Sequence, residues 1–182
     1  IVHDLGRTDV QFNIAGTGPE WNAVVALCAE MRLCDYVTFT GAIADDALFT
    51  MLSTADVCVN PDRVTPMNDI STMNKIMEYM ALGRPIVQFD VREGRRSALD
   101  ASLYAAKNDP IDFADKIIAL IDDPAQRQTM GAFGRSRVER KLSWTHEEPK
   151  LLAAYEALFT RKAPLPGRAP RTTTERPSAP AS

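Results

Sequence analysis

At 182 residues and 45% hydrophobic content the chain can bury one ordinary core, so a single domain is expected. A net charge of −3 and a sequence pI near 5.4 argue against a general nucleic-acid binder, and no basic run forms an electrostatic footprint. No stretch approaches the ~18 apolar residues of a membrane span, and no signal peptide is visible.

The chain opens on Ile1, and residues 1–7 read as the last turn or two of a helix stopped at Gly6. Domains rarely begin in mid-helix, so upstream sequence is expected to be missing. Residues 10–15 read as a strand, followed by Gly16-Thr17-Gly18-Pro19. Residues 20–33 form a helical pattern with Trp21, Val24, Val25, Cys28 and Met31 on one face. Residues 37–40 make the next strand, closed by Gly41, and Asp45 can cap a short helix carrying Leu48, Phe49 and Leu52. Residues 57–60 are a third, apolar strand, and a long polar loop leads from Pro61 to the next helix.

That helix ends at Gly83-Arg84-Pro85, before a fourth strand at 86–89 and a weaker fifth at 102–105. Asp109-Pro110 and Asp123-Pro124 each announce a helix, with the aspartate as cap and the proline at the first helical position. A last helix, about 147–161, carries Leu151, Leu152, Tyr155, Leu158 and Phe159 as the face to be buried. Strands alternating with amphipathic helices imply an α/β fold, a Rossmann-like parallel sheet with helices on both faces, over residues 1–162. Residues 163–182, rich in Pro, Ser, Thr and Arg, read as a disordered tail.

Cys28, Cys34 and Cys58 show no metal or redox spacing, so buried reduced thiols and a cytosolic compartment are expected. His3 and His146 have no neighbour that makes a metal pair. No Walker loop, no Ser-His-Asp set and no paired acid/base site is visible.

In such sheets ligands bind beyond the carboxyl ends of the strands, where three loops should meet: 16–19, 41–45 and 61–71. Gly16 and Gly18 let backbone and ligand approach closely, although a tight strand-to-helix turn needs glycine in any case. The entrance to the central helix gathers Asn68, Asp69, Ser71, Thr72, Asn74 and Lys75. Met73, Ile76, Met77, Met80 and Ala81 then repeat at the spacing of one buried stripe. Two readings of the entrance stand side by side. Asp69 or Ser71 can cap the helix, with Lys75 and Glu78 as a solvated pair three residues apart. Alternatively, Ser71 and Thr72 at the helix start offer N–H groups to a diphosphate, and Glu78 accepts both hydroxyls of a ribose about 10 Å away.

The order IAGTGPEW, VTFTGAI, LFTMLSTADVCVNP and STMNKIMEYMALGRPIV resembles the C-terminal, donor-binding half of retaining glycosyltransferases of the GT-B fold, family 4 or group 1. The resemblance runs from about Val10 to Phe159. It implies that a UDP-, GDP- or ADP-sugar donates to a glycan or lipid-linked acceptor, with no metal or other cofactor required. It also implies a missing N-terminal half, against which the last helix packs, and a cytoplasmic place that allows peripheral contact with the inner face of a membrane. By position, Glu78 matches the family's ribose-binding glutamate, and Ser71, Thr72 and Met73 supply backbone N–H groups to the diphosphate. Gly16 and Gly18 match the glycine turn, and Ala42 and Ile43 the segment beside the base. The family's first glutamate falls on Ile70, which leaves neighbouring Asp69 as its substitute and Asp69 and Lys75 as candidate catalytic groups. The same residues also allow a non-catalytic doubly wound module that binds a ligand or partner, or a GT-B-like sugar-nucleotide epimerase.

Overall fold

The computed structural model describes residues 1–160, so Arg161, Lys162 and the expected tail at 163–182 lie outside the described residues. Two compact units divide the chain, Ile1–Ser143 and Trp144 onward. The first carries β1 (Phe12–Ala15), α1 (Trp21–Glu30), β2 (Val37–Gly41), α2 (Asp45–Thr54) and β3 (Cys58–Asn60). It continues through α3 (Asn74–Ala81), β4 (Ile86–Phe89), α4 (Arg92–Ala98), β5 (Ser102–Ala105), α5 (Pro110–Asp122) and α6 (Pro124–Arg137). The second unit contains α7 (Glu148–Thr160).

Every strand pairing is parallel, as the alternation of strands and helices requires. The sheet comes in two pieces, however: β1 pairs with β2, while β4 lies between β3 and β5. In the three-stranded piece Cys58 stands opposite Ile86, and Ile86 opposite Ser102. All four residues of β4 are buried, and its side chains alternate between two cores. Val87 and Phe89 join Phe113, Ile117, Leu120 and Met130 on one face. Ile86 joins Ile76, Met80, Ala98 and Ala101 on the other.

The aspartate–proline signals translate into local bonds, whereas Asp45 is not a cap: it is the first residue of α2, behind Ala44, and the helix has no side-chain cap bond. The Asp109 carboxylate accepts from the N–H groups of Ile111 and Asp112 at 2.9 and 3.2 Å, and Asp123 accepts from Gln126 at 2.8 Å. Each cap sits before a proline at the first position of its helix, as expected. Gly83, at φ +66°, ends α3: its own N–H reaches the Met80 carbonyl, and the Arg84 N–H reaches that of Tyr79. A Cβ on Gly131 would overlap the Gly83 carbonyl, so α6 runs hard against the end of α3.

Several expectations change. Residues 1–7 hold one turn rather than a run of helix, and the stop expected at Gly6 is there: Gly6, at φ +65°, donates its N–H to the Val2 carbonyl at 3.0 Å. On α1 only Cys28 is buried; Val24, Val25 and Met31 are exposed, because the β1–β2 ribbon offers that face no third strand to pack on. Cys34 is exposed, while Cys28 and Cys58 are buried free thiols. Ala81 is exposed at the end of the α3 stripe. On α7, Leu151, Leu152, Tyr155, Leu158 and Phe159 are all exposed. No helix among the described residues is long and apolar enough to cross a membrane.

Candidate functional site

The carboxyl ends of β1 and β2 turn on Gly16, at φ +117°, and Gly41, at φ +67°. The Gly16 N–H donates to the Gly41 carbonyl at 2.8 Å, so the first two expected loops do meet. Nothing lies within 4 Å of the space a Cβ would take at Gly16 or Gly18, which leaves the turn open on its outer side. Ala42 is exposed and Ile43 half-buried just beyond Gly41.

The second cluster lies after β3 and β4. Residues Asn68–Ile70 form a short 3-10 turn, and α3 begins at Asn74, three residues later than Ser71. Ser71 and Thr72 are therefore outside the helix. Met73, with φ −97° and ψ 115°, is its N-cap and supplies no side-chain cap bond. The reason is local. The Ser71 hydroxyl donates to the Met67 carbonyl at 2.7 Å and its N–H to that of Asn68 at 3.3 Å, which closes the preceding turn. The N–H groups of Thr72, Met73, Asn74 and Lys75 have no acceptor among the described residues. A helix entrance with free donors favours an anion.

Neither Asp69 nor Ser71 caps the helix, and Lys75 does not pair with Glu78. The Lys75 ammonium reaches Asp62 at 2.9 Å. Glu78 is exposed, with no ion pair among the described residues. Asp69 accepts from the Arg92 N–H at 2.8 Å, from its Nε at 3.2 Å and from its Nη2 at 2.9 Å. The Arg92 backbone bond, seconded by its guanidinium, holds the Asp69 carboxyl below the usual aspartate range. The Thr72 hydroxyl donates to Glu93 at 3.3 Å. Arg95 binds Asp90 at 2.8 Å and stacks on Tyr104, 4.0 Å from the ring centre.

Ser71, Thr72, Met73, Lys75 and Asp69 are thus gathered at one entrance, with Glu78 about a turn further along α3. Gly16, Gly18, Ala42 and Ile43 gather at the other piece of sheet, and no hydrogen bond or ion pair joins the two groups among the described residues. Asp62, Arg92 and Glu93 were missed from sequence. The signal for the last two was present, since they follow β4 at the same carboxyl edge, where a fourth loop had to be counted. A cavity of about 360 Å³ lies elsewhere, before β3 and β4, lined by Asp56, Arg84, Pro85 and Arg127 among others. Two of its three arginines cap helix ends, Arg84 donating to the Ala55 carbonyl and Arg127 to Leu120 and Ile121, and the third, Arg135, pairs with Glu139 at 3.0 Å. That basic lining serves the fold.

Parallel strands, helices wound around them and polar loops at the carboxyl edge define an α/β architecture of the Rossmann-like kind. Residues 1–123 match the family described as glycosyl transferases group 1, and the chain belongs to that family. It is 30% identical over 125 residues to an alpha-D-kanosaminyltransferase of Streptomyces kanamyceticus, covering 67% of this chain and 31% of the relative. A GDP-mannose-dependent monoacylated alpha-(1-6)-phosphatidylinositol monomannoside mannosyltransferase of Corynebacterium glutamicum is 26% identical, with 76% and 36% covered. The chain thus spans about a third of the length of these curated relatives. Among solved structures, the sucrose-phosphate synthase of Thermosynechococcus elongatus matches with TM-score 0.72 and 28% identity, covering 82% of this chain and 38% of that one. The Anabaena protein HepE, solved in complex with UDP and glucose, shares the fold at TM-score 0.70 and 14% identity, with 83% and 41% covered.

Proposed function

We propose that this chain is the donor-binding half of a retaining glycosyltransferase, which holds the nucleotide diphosphate of a UDP-, GDP- or ADP-sugar. The observation that carries the reading is the run of N–H groups from Thr72 to Lys75 at the start of α3 that have no acceptor among the described residues, with Glu78, a carboxylate without an ion pair among them, on the same helix. The N–H groups and the helix dipole stabilise the charge that grows on the departing diphosphate, and Lys75 stands at the same entrance, paired with Asp62. Glu78 accepts the two ribose hydroxyls. Gly16, Gly18, Ala42 and Ile43 lie against the base and the phosphates. The acceptor, a glycan or a lipid-linked sugar, is held by a partner half, and transfer takes place on the cytoplasmic side, with α7 docking against that half.

Calorimetric titration with UDP, GDP and ADP tests the reading. Binding of one of the three at millimolar strength or tighter is expected, with loss of about tenfold or more in Glu78→Ala, the scale of a charged hydrogen-bond pair. Absence of binding by all three nucleotides sinks it.

A further inference from the structure

The cysteines take no part in the site above, and the fold sorts them unevenly. Cys58, 4% exposed on β3, belongs to the three-stranded piece of sheet. Cys28 and Cys34 lie six residues apart at the end of α1, where the chain reverses. Arg32, at φ +56°, is the left-handed residue that closes the helix. Its N–H donates to the Ala29 carbonyl at 3.0 Å, and the Leu33 N–H donates to the Cys28 carbonyl at 2.9 Å. These two bonds fold the chain after Arg32 back over the last turn of α1. The Cys28 and Cys34 side chains there hydrogen-bond to each other, one thiol 7% exposed and the other at the surface. Their spacing in sequence matches no redox motif; the helix end brings them together.

We propose that Cys28 and Cys34 form an exchange site for low-molecular-weight disulfides, glutathione disulfide among them, which closes into an intramolecular bond and clasps the end of α1 to the approach to β2. Cys34 is the accessible member of the pair, so its thiolate attacks first. A bond forms to one sulfur of the small disulfide, and the other sulfur leaves as a thiolate. Burial, and then the adjacent Cys34 sulfur, hold the Cys28 thiol above the ordinary cysteine range, which makes it the second nucleophile. Once deprotonated, Cys28 attacks the Cys34 sulfur and displaces the second small thiolate. The two departing thiolates take up the two protons that the cysteines lose. Two cysteines are oxidised, and one small disulfide is reduced to two thiols. Under a reducing glutathione pool the pair rests open. The clasp acts on the ribbon of β1 and β2, which carries the Gly16–Gly41 contact, and it is independent of what that ribbon binds.

The intact chain is incubated with glutathione disulfide, quenched in acid, denatured and alkylated. The untreated chain takes a label on each of Cys28, Cys34 and Cys58. The treated chain is expected to take a label on Cys58 alone and to be lighter by two hydrogens before alkylation. Arg32 lies between the paired cysteines, so after trypsin their fragments stay joined only through the new bond. Cys28→Ser is expected to stop one glutathione heavier, at the mixed disulfide on Cys34. Cys34→Ser, a change at the surface, is expected to stay unmodified, and it answers the question if Cys28→Ser folds poorly. Hydrogen exchange of the β1 and β2 amides should slow by about tenfold in the oxidised chain. A lasting glutathione adduct on wild type, a bond to Cys58, a dimer joined through Cys34, or a treated chain that keeps all its labels overturns the exchange site. Equal hydrogen exchange in the two forms overturns the clasp.

Discussion

The first 54 residues and the stretch from Val57 to Ser143 are built from the same kinds of element, yet they differ in how much they bury. In the first region only Cys28 and Leu52 are buried, and Ile14, in the middle of β1, is 40% exposed. In the second, β4 is covered on both edges by strands and on both faces by helices, and Ile86, Val87, Ile76 and Met80 are 0% exposed. An apolar strand has no core of its own; it acquires one only from neighbours. Trp21 on α1 stands edge-on to Phe39 on β2, with ring centres 5.6 Å apart. Arg7 ties the two regions together by gripping both Asp9 and Asp122.

Thiol labelling should expose this difference most strongly, because it reads local opening directly. Cys34 is expected to react at once, Cys28 on the time scale of ribbon opening, and Cys58 only on global unfolding. Burial pushes the Cys58 thiol up to about 12, which suppresses its thiolate as well as its access. Equal rates for Cys28 and Cys58, followed by mass spectrometry, would mean that the two regions open as one.

Truncation is the next largest effect. Ile86→Ala should cost about 2–5 kcal/mol in urea unfolding, as a buried cavity does. Ile14→Ala on exposed β1 should cost under about 1 kcal/mol. A ribbon truncation as costly as the core one would refute the division. Asp109→Ala, which removes a two-donor helix cap in the better-buried region, is expected to cost about 1 kcal/mol by the same measurement.

Acid gives the smallest effect. The carboxyls of Asp69, Asp90 and Asp112 are held below the ordinary 3.8 by the Arg92 backbone bond, the Arg95 guanidinium and the Ala106 N–H respectively. Asp9 is held down by Arg7. Groups with a depressed folded pKa contribute stability that is present above 3.8 and is lost as pH falls through their folded values. A denaturation midpoint that stays flat from pH 7 to about 4 and drops below is the expected profile; a drop already between pH 7 and 5 would place its cause in other groups.

The site was legible to different depths. The glycine turn at Gly16, the polar entrance before α3 and the exposed Glu78 could all be read from spacing. What spacing could not show was where α3 begins. Ser71 looks like a cap by residue type, but its hydroxyl closes the turn behind it, and the first helical residue moves to Asn74. The partners of Asp69 and Lys75 were equally hidden, since Arg92 and Asp62 lie 23 and 13 residues away and meet them only across the folded loops.

The sequence by itself determined the order of the five strands and of every α-helix except α4, the aspartate–proline starts of α5 and α6, and the glycine stop of α3. Each of these rests on backbone chemistry within a few residues. Tertiary structure alone decided that the sheet is in two pieces and that Val24 and the α7 leucines are exposed. It also decided that Asp62 and Asp69 at the α3 entrance are taken up by Lys75 and Arg92. Burial and pairing depend on what stands across the fold, and a periodic pattern names the face without naming its neighbour.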